Sequence, residues 1–194
     1  MRRDVLYPIL VGQILFWSLF PLMSGLTENL HPASYVIINL GIVLSAFIVW
    51  AFLWRIRYAI HPLWFHILFL AYSVLMIFLL IVRSGTNGFR SANWVPFETI
   101  QLYLFNELPF FIRFYNLAAN VGLFIPFGIY LMYVSKRWRT RVTIPAATIA
   151  AVELTQYLTI RGSLDIDDFI LNLAGVGMGF LLAPLLKERF VRRT

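Results

Sequence analysis

Six apolar runs, each long enough to cross a hydrocarbon layer, decide the fold class of this chain. They cover roughly residues 5–25, 34–54, 62–82, 115–134, 143–160 and 168–186. A bilayer core about 30 Å thick needs about 17–25 helical residues to span it. In lipid the α-helix also satisfies every backbone polar group within its own segment. Pro32, Pro62, Gly85 and the Lys136–Arg141 segment fall between the runs, where breakers and charges belong. Composition agrees, with 13% charged residues against roughly 25% in a soluble domain. The expected fold is an all-α membrane protein: a bundle of about six transmembrane helices forming a single integral membrane domain over residues 1–194.

The net charge of +7 does not indicate nucleic acid, because the basic residues sit in short clusters beside the apolar runs. Met1-Arg2-Arg3 resembles the start of a signal peptide. The run from Val5 to Leu26 is longer than a signal h-region and lacks a small-x-small cleavage site, so it is expected to be an uncleaved first span. With the N-terminus inside, the cytoplasmic pieces carry 12 of the 16 basic residues and only Asp4 and Glu188 as acids, a net of +10. The rest carries four basic and seven acidic residues, a net of −3. Both termini are therefore expected to be cytoplasmic, in a multi-pass protein of the plasma membrane. Zero cysteines exclude disulfides and thiolate chemistry.

Only residues 83–114 form a long connection. Residues 83–90 have the composition of a flexible loop, and Asn93-Trp-Val-Pro-Phe97 that of a turn. Residues 98–112 mix Glu98, Gln101 and Glu107 with aromatic residues, as an interfacial helix does. That segment is either a connector in the headgroup zone or a lid over an outward cavity.

Against this greasy background, Glu153, Gln156, Arg161, Asp165, Asp167, Asp168 and Asn172 crowd into twenty residues. An ionisable group at membrane depth is costly and marks a working site by default. If the fifth span surfaces at Arg161, Glu153 lies about 12 Å below, and needs a partner or a wet cavity. Gln156 and Tyr157 share its helix face. Asp168, Asn172, Gly175 and Gly179 follow steps of four, three and four, which draws one stripe down the last span. Its lower end is a small-residue seam suited to close helix approach. Asn116 and Asn120 share a face of the fourth span, ahead of Pro126 and Gly128, so three spans carry polar groups toward one outer vestibule. Blander roles fit as well: Asp165 as an N-cap, Asp167 and Asp168 as dipole partners, Arg161 as their ion pair, and Asn120 and Asn172 as interhelical hydrogen bonds.

Several chemistries lack their residues. Asp165-x-Asp167-Asp168 has neither the glycine nor the distal glutamate of an EF-hand. No Gly-rich phosphate loop exists, and only His31 lies on the outer side. Three options stay open: a carboxylate acid/base pair, an oxygen-ligand cation site, or a polar headgroup pocket with Arg90 or Arg161 as its anion fork. No metal site or cofactor is assigned.

The pattern resembles the VanZ-like family. The resemblance rests on Asn93-Trp-Val-Pro-Phe97, Asn120, Phe124-Ile-Pro-Phe-Gly128, Glu153-x-x-Gln156, Arg161, Asp165-x-Asp167-Asp168, Asn172 and Gly175-x-x-x-Gly179. It covers residues 83–182, about half the chain. The family's loop arginine matches either Arg83 or Arg90. The resemblance implies a bacterial integral membrane protein with an outward-facing site near envelope lipids; the family's namesake confers low-level teicoplanin resistance.

Two functions follow as expectations. The first is an enzyme, or an enzyme-like protein, acting on a lipid or lipid-linked envelope molecule such as a peptidoglycan precursor. In it Glu153 is general base or ligand and Asp168 its partner; Arg90, Asn93, Asn120, Gln156, Arg161, Asp165 and Asn172 contact the substrate. The second is a non-catalytic protein that shields an envelope target from a glycopeptide. A small transporter fits less well, because the inner halves of the spans carry almost no ionisable groups.

Overall fold

The computed structural model describes residues 3–26, 32–83, 90–105 and 110–192. Arg2, Glu28, His31, the 84–89 loop, Glu107 and Arg193 lie outside the described residues. The elements run α1 (Arg3–Leu26), α2 (Pro32–Leu53), β1 (Tyr58–Ile60), α3 (Pro62–Arg83), β2 (Ala92–Asn93), α4 (Glu98–Phe105), α5 (Phe110–Val134), α6 (Trp138–Leu158), β3 (Leu164–Asp165), α7 (Ile166–Lys187) and β4 (Phe190–Arg192).

The protein is an all-α membrane protein. Six helices coincide with the six apolar runs, and five of them are long and apolar enough to cross a membrane: α1, α2, α3, α5 and α7. The fifth run does form a helix, α6, but it falls below that apolarity. Its face carries Glu153 and Gln156, and it holds four threonines. Thr143, Thr148 and Thr155 return their hydroxyls to the carbonyls of Arg139, Ile144 and Ala151 at 2.7–2.9 Å, which hides those donors within the helix.

The residues form two compact units, Met1–Leu75 with Leu185–Thr194, and Met76–Pro184. In the first, α1 and α2 pack as a hairpin. A Cβ at Gly12 would lie 2.9 Å from the Val43 backbone, so glycine is what permits this approach. Next to it, the Gln13 and Asn39 side-chain amides bond each other reciprocally at 3.1 and 3.3 Å, a polar clasp between two apolar helices. Ile14, Trp17, Leu44 and Leu70 are each more than half exposed, which suits lipid and not water. Beyond α2, β1 pairs in parallel with β4, and Tyr58 stacks on Phe190.

In the second unit, α5 and α7 cross at a seam of glycines. A Cβ at Gly128 would meet the Val176 carbonyl oxygen, one at Gly175 the Val121 carbonyl, and one at Gly179 the Ile125 carbonyl. The helices therefore approach backbone to backbone, as small-residue seams allow. Phe124, Ile149, Val152 and Val176 fill the core beside that crossing. α5 runs unbroken through Pro126. The interfacial helix expected over 98–112 is shorter: α4 ends at Phe105 and α5 begins at Phe110, while the span-length apolar stretch of α5, Asn116–Val134, matches the expected fourth run.

Candidate functional site

The sequence after α6 closes the helix with a hydrogen-bonded turn. The Arg161 N–H reaches back to the Gln156 carbonyl at 3.0 Å and the Ile160 N–H to that of Tyr157 at 3.3 Å. Ile160 takes the left-handed conformation, φ 57°. This is the Schellman arrangement with isoleucine at the position that usually takes glycine. It stops α6 at Leu158, so Glu153 lies about 7–8 Å from the helix end and not the 12 Å expected from a helix reaching Arg161.

From there the chain turns into β3, which pairs in parallel with β2 and sets Asn93 opposite Asp165. Three side chains in this strap are committed to α4. Asp165 caps α7, its Oδ1 accepting the Asp167 N–H at 2.9 Å, while its Oδ2 accepts the Thr99 hydroxyl at 2.6 Å. Asn93 donates to the same hydroxyl at 3.2 Å and folds its own turn by accepting the Val95 N–H at 3.0 Å. Asp167 is fully buried and spends both oxygens on α4, accepting the Phe97 N–H at 2.6 Å and the Ile100 N–H at 3.0 Å. Those are two of the amides a helix start leaves unpaired. The carboxylate therefore caps a helix some seventy residues away in sequence.

With α4 held, a cavity of about 110 Å³ opens among the helices. Its lining comes from α3 (Leu80), α4 (Tyr103), α5 (Asn116, Asn120), α6 (Glu153, Gln156) and α7 (Asp168, Asn172). Seven of these eight residues are polar, in a region where the surrounding core is Phe, Ile and Val. Asn120 donates its amide to Asp168 Oδ1, and Gln156 donates to the Leu80 carbonyl at 2.8 Å. Glu153 Oε2 and Asn172 Oδ1 are buried and have no hydrogen-bond partner. Asp168 and Asp165 are the charged neighbours of Glu153. Among the described residues no group of three or more His, Asp or Glu is arranged to hold a metal ion.

The residues singled out from sequence thus divide. Glu153, Gln156, Asp168, Asn172 and Asn120 come together around the cavity, joined by Asn116, which the helical spacing had paired with Asn120. Asn93, Asp165, Arg161 and Arg90 do not line it. Asn93 and Asp165 hold α4; Arg161 sits half-buried in the turn after α6; Arg90 is exposed with its guanidinium over the Tyr157 ring, 5.8 Å from the centroid. Sequence reasoning missed Leu80 and Tyr103 as lining residues. Neither carries a signal, since an apolar residue in a span and an aromatic in an interfacial helix are ordinary.

An all-α membrane protein with a polar cavity set among its helices is the class that this fold and site define. The VanZ/LLP1 family model matches residues 69–187, more than half the chain, and the chain belongs to that family. The match begins within α3 and so takes in Leu80 as well as the motifs. No curated protein and no solved structure matches the chain.

Proposed function

We propose that this protein binds and chemically processes a lipid or lipid-linked cell-envelope molecule at the outer face of the bacterial plasma membrane. The observation that supports the reading most directly is the cavity itself. Five helices contribute to it, and its lining concentrates two carboxylates and four side-chain amides beside a core of apolar side chains. Polar groups at such depth are retained for function, since packing alone is served by apolar ones. The charge asymmetry of the loops supports the outward orientation.

In this reading Glu153 acts as the general base. Its Oε2 carries no hydrogen bond, so a lone pair is available to take a proton from a hydroxyl or a water held in the cavity. Asp168, steadied through one oxygen by Asn120, is the second carboxylate and returns or relays that proton. Asn172 and Gln156 orient the substrate. Arg90 and Arg161, outside the lining, meet an anionic group at its approach.

The test compares cells carrying the wild type, Glu153→Gln, Asp168→Asn and a deletion, after confirming equal expression. Lipids and lipid-linked peptidoglycan precursors are profiled by mass spectrometry, and teicoplanin susceptibility is measured alongside. Both substitutions should reproduce the deletion profile. If the wild-type profile and any resistance survive both, the carboxylates do no chemistry and a shielding role takes over.

A further inference from the structure

The two unpartnered acceptors specify what must enter the cavity, and this inference rests on the lipid-site reading above. Glu153 and Asn172 are 5% and 3% exposed, yet Glu153 Oε2 and Asn172 Oδ1, in residues that both line the cavity, have no donor. A buried acceptor without a partner is costly, and water entering the cavity meets it only until a ligand displaces that water. A ligand that takes the place of water must therefore bring donors back to both atoms. Two of the lining donors are committed elsewhere: the Gln156 amide to the Leu80 carbonyl and the Asn120 amide to Asp168. Among the described residues the lining holds two carboxylates and no basic side chain, so the field favours a cation.

Depth narrows the choice further. Glu153 is five residues from the end of α6 and Asp168 is the third residue of α7, so the cavity lies within about two turns of the helix ends. That is the level of a lipid headgroup and the first part of its chains, well above the bilayer midplane. One guanidinium is tied close by: Arg113 Nη1 donates to the carbonyl of Leu104, the residue after Tyr103, while its Nε is buried without a partner. A zwitterion with an N–H cation at one end and a phosphate at the other matches this pairing.

We infer that the cavity between α5, α6 and α7 receives the primary ammonium of an ethanolamine-type phospholipid headgroup, with Glu153 and Asn172 accepting its N–H donors.

The purified full-length protein in detergent micelles is titrated with dioleoyl phosphatidylethanolamine, phosphatidylcholine and phosphatidylglycerol, and retained lipid is read by native mass spectrometry. Phosphatidylcholine keeps the charge but has no N–H donor; phosphatidylglycerol keeps hydroxyl donors but has no cation. Wild type should hold the ethanolamine lipid about tenfold more tightly than the choline lipid, the scale of one hydrogen bond to a charged group. Glu153→Gln and, separately, Asn172→Leu should each narrow that preference, with elution profile and melting point confirming that each variant is folded. Equal retention of the ethanolamine and choline lipids, or a preference for phosphatidylglycerol, overturns the headgroup assignment while leaving a lipid site. Retention of all three lipids that is weak and identical in wild type and both variants overturns the lipid-site reading along with it.

Discussion

Asn172 Oδ1 is a buried acceptor with no donor from the protein, and Glu153 Oε2 is another. In a protein selected for stability alone, both positions would be apolar, since an orphaned buried acceptor costs about 1–3 kcal/mol. Sites where sequence and packing rules are broken are expected to be functional ones. Asn172→Leu, which keeps the branched shape and removes the orphan, should raise stability by about 1 kcal/mol, seen as a higher thermal midpoint in micelles. A lower midpoint would mean that Asn172 is structural. Glu153→Gln should melt no lower than wild type, because glutamine keeps the shape of the side chain and cannot ionise beside Asp168 and Asp165. Loss of activity in that variant then cannot be put down to unfolding.

At the scale of elements, the strap built from β2, β3 and the start of α7 determines where α4 lies, and α4 brings Tyr103 to the cavity. Asp167 is its main tie. Asp167→Ala removes the acceptor of two amide N–H groups, at about 1–3 kcal/mol each if they stay buried. The expected outcome is local: amide hydrogen exchange of residues 98–105 speeds up strongly, while the α5–α7 core keeps its protection. Exchange that rises equally everywhere would show that Asp167 supports the whole unit. The glycine seam gives the opposite result. Gly175→Ala drives a methyl into the Val121 carbonyl, backbone that cannot rotate aside, so the cost should reach about 1–3 kcal/mol and appear as global loss of thermal stability.

These two devices differ in how far they could be read from sequence. The seam was legible, because Asn172, Gly175 and Gly179 recur at helical spacing and a helix face is a property of one segment. The cap was not. The partners of Asp167 are backbone amides of residues 97 and 100, which no side-chain pattern advertises, so an aspartate at the second position of α7 looked like a dipole partner only. Arg90 and Asn93 show the same limit: both lie near the motifs, and only the fold shows that Asn93 bonds Thr99 and the Val95 amide and that Arg90 lies over the Tyr157 ring, outside the cavity lining. The helices themselves were the easiest part, since spanning length in apolar residues leaves the backbone few alternatives.

For the whole molecule the decisive property is the charge asymmetry, +10 on one set of loops and −3 on the remainder. Lys and Arg retained in short connections mark the cytoplasmic side, and Lys136 and Arg137 before α6, with Arg139 and Arg141 in its first turn, form one such cluster. The turn after α6, residues 159–163, has only Arg161 and leads into three aspartates. The cavity lies at the end of α6 next to this second turn, so its access side and the topology are one question. The chain contains no cysteine, which makes single-cysteine labelling free of background. Ser163→Cys should react with a membrane-impermeant maleimide on intact cells, and Ser135→Cys only after permeabilisation. Labelling in the reverse order would turn the cavity toward the cytoplasm and remove the outer-leaflet substrate from consideration. Moving positive charge supplies an independent lever: replacing Lys136, Arg137, Arg139 and Arg141 by glutamine while adding arginines beside Ser163 should weaken or invert the labelling pattern, because a K/R bias sets orientation only while it persists. If the pattern stays unchanged, orientation is determined by the N-terminal hairpin and its own flanking arginines.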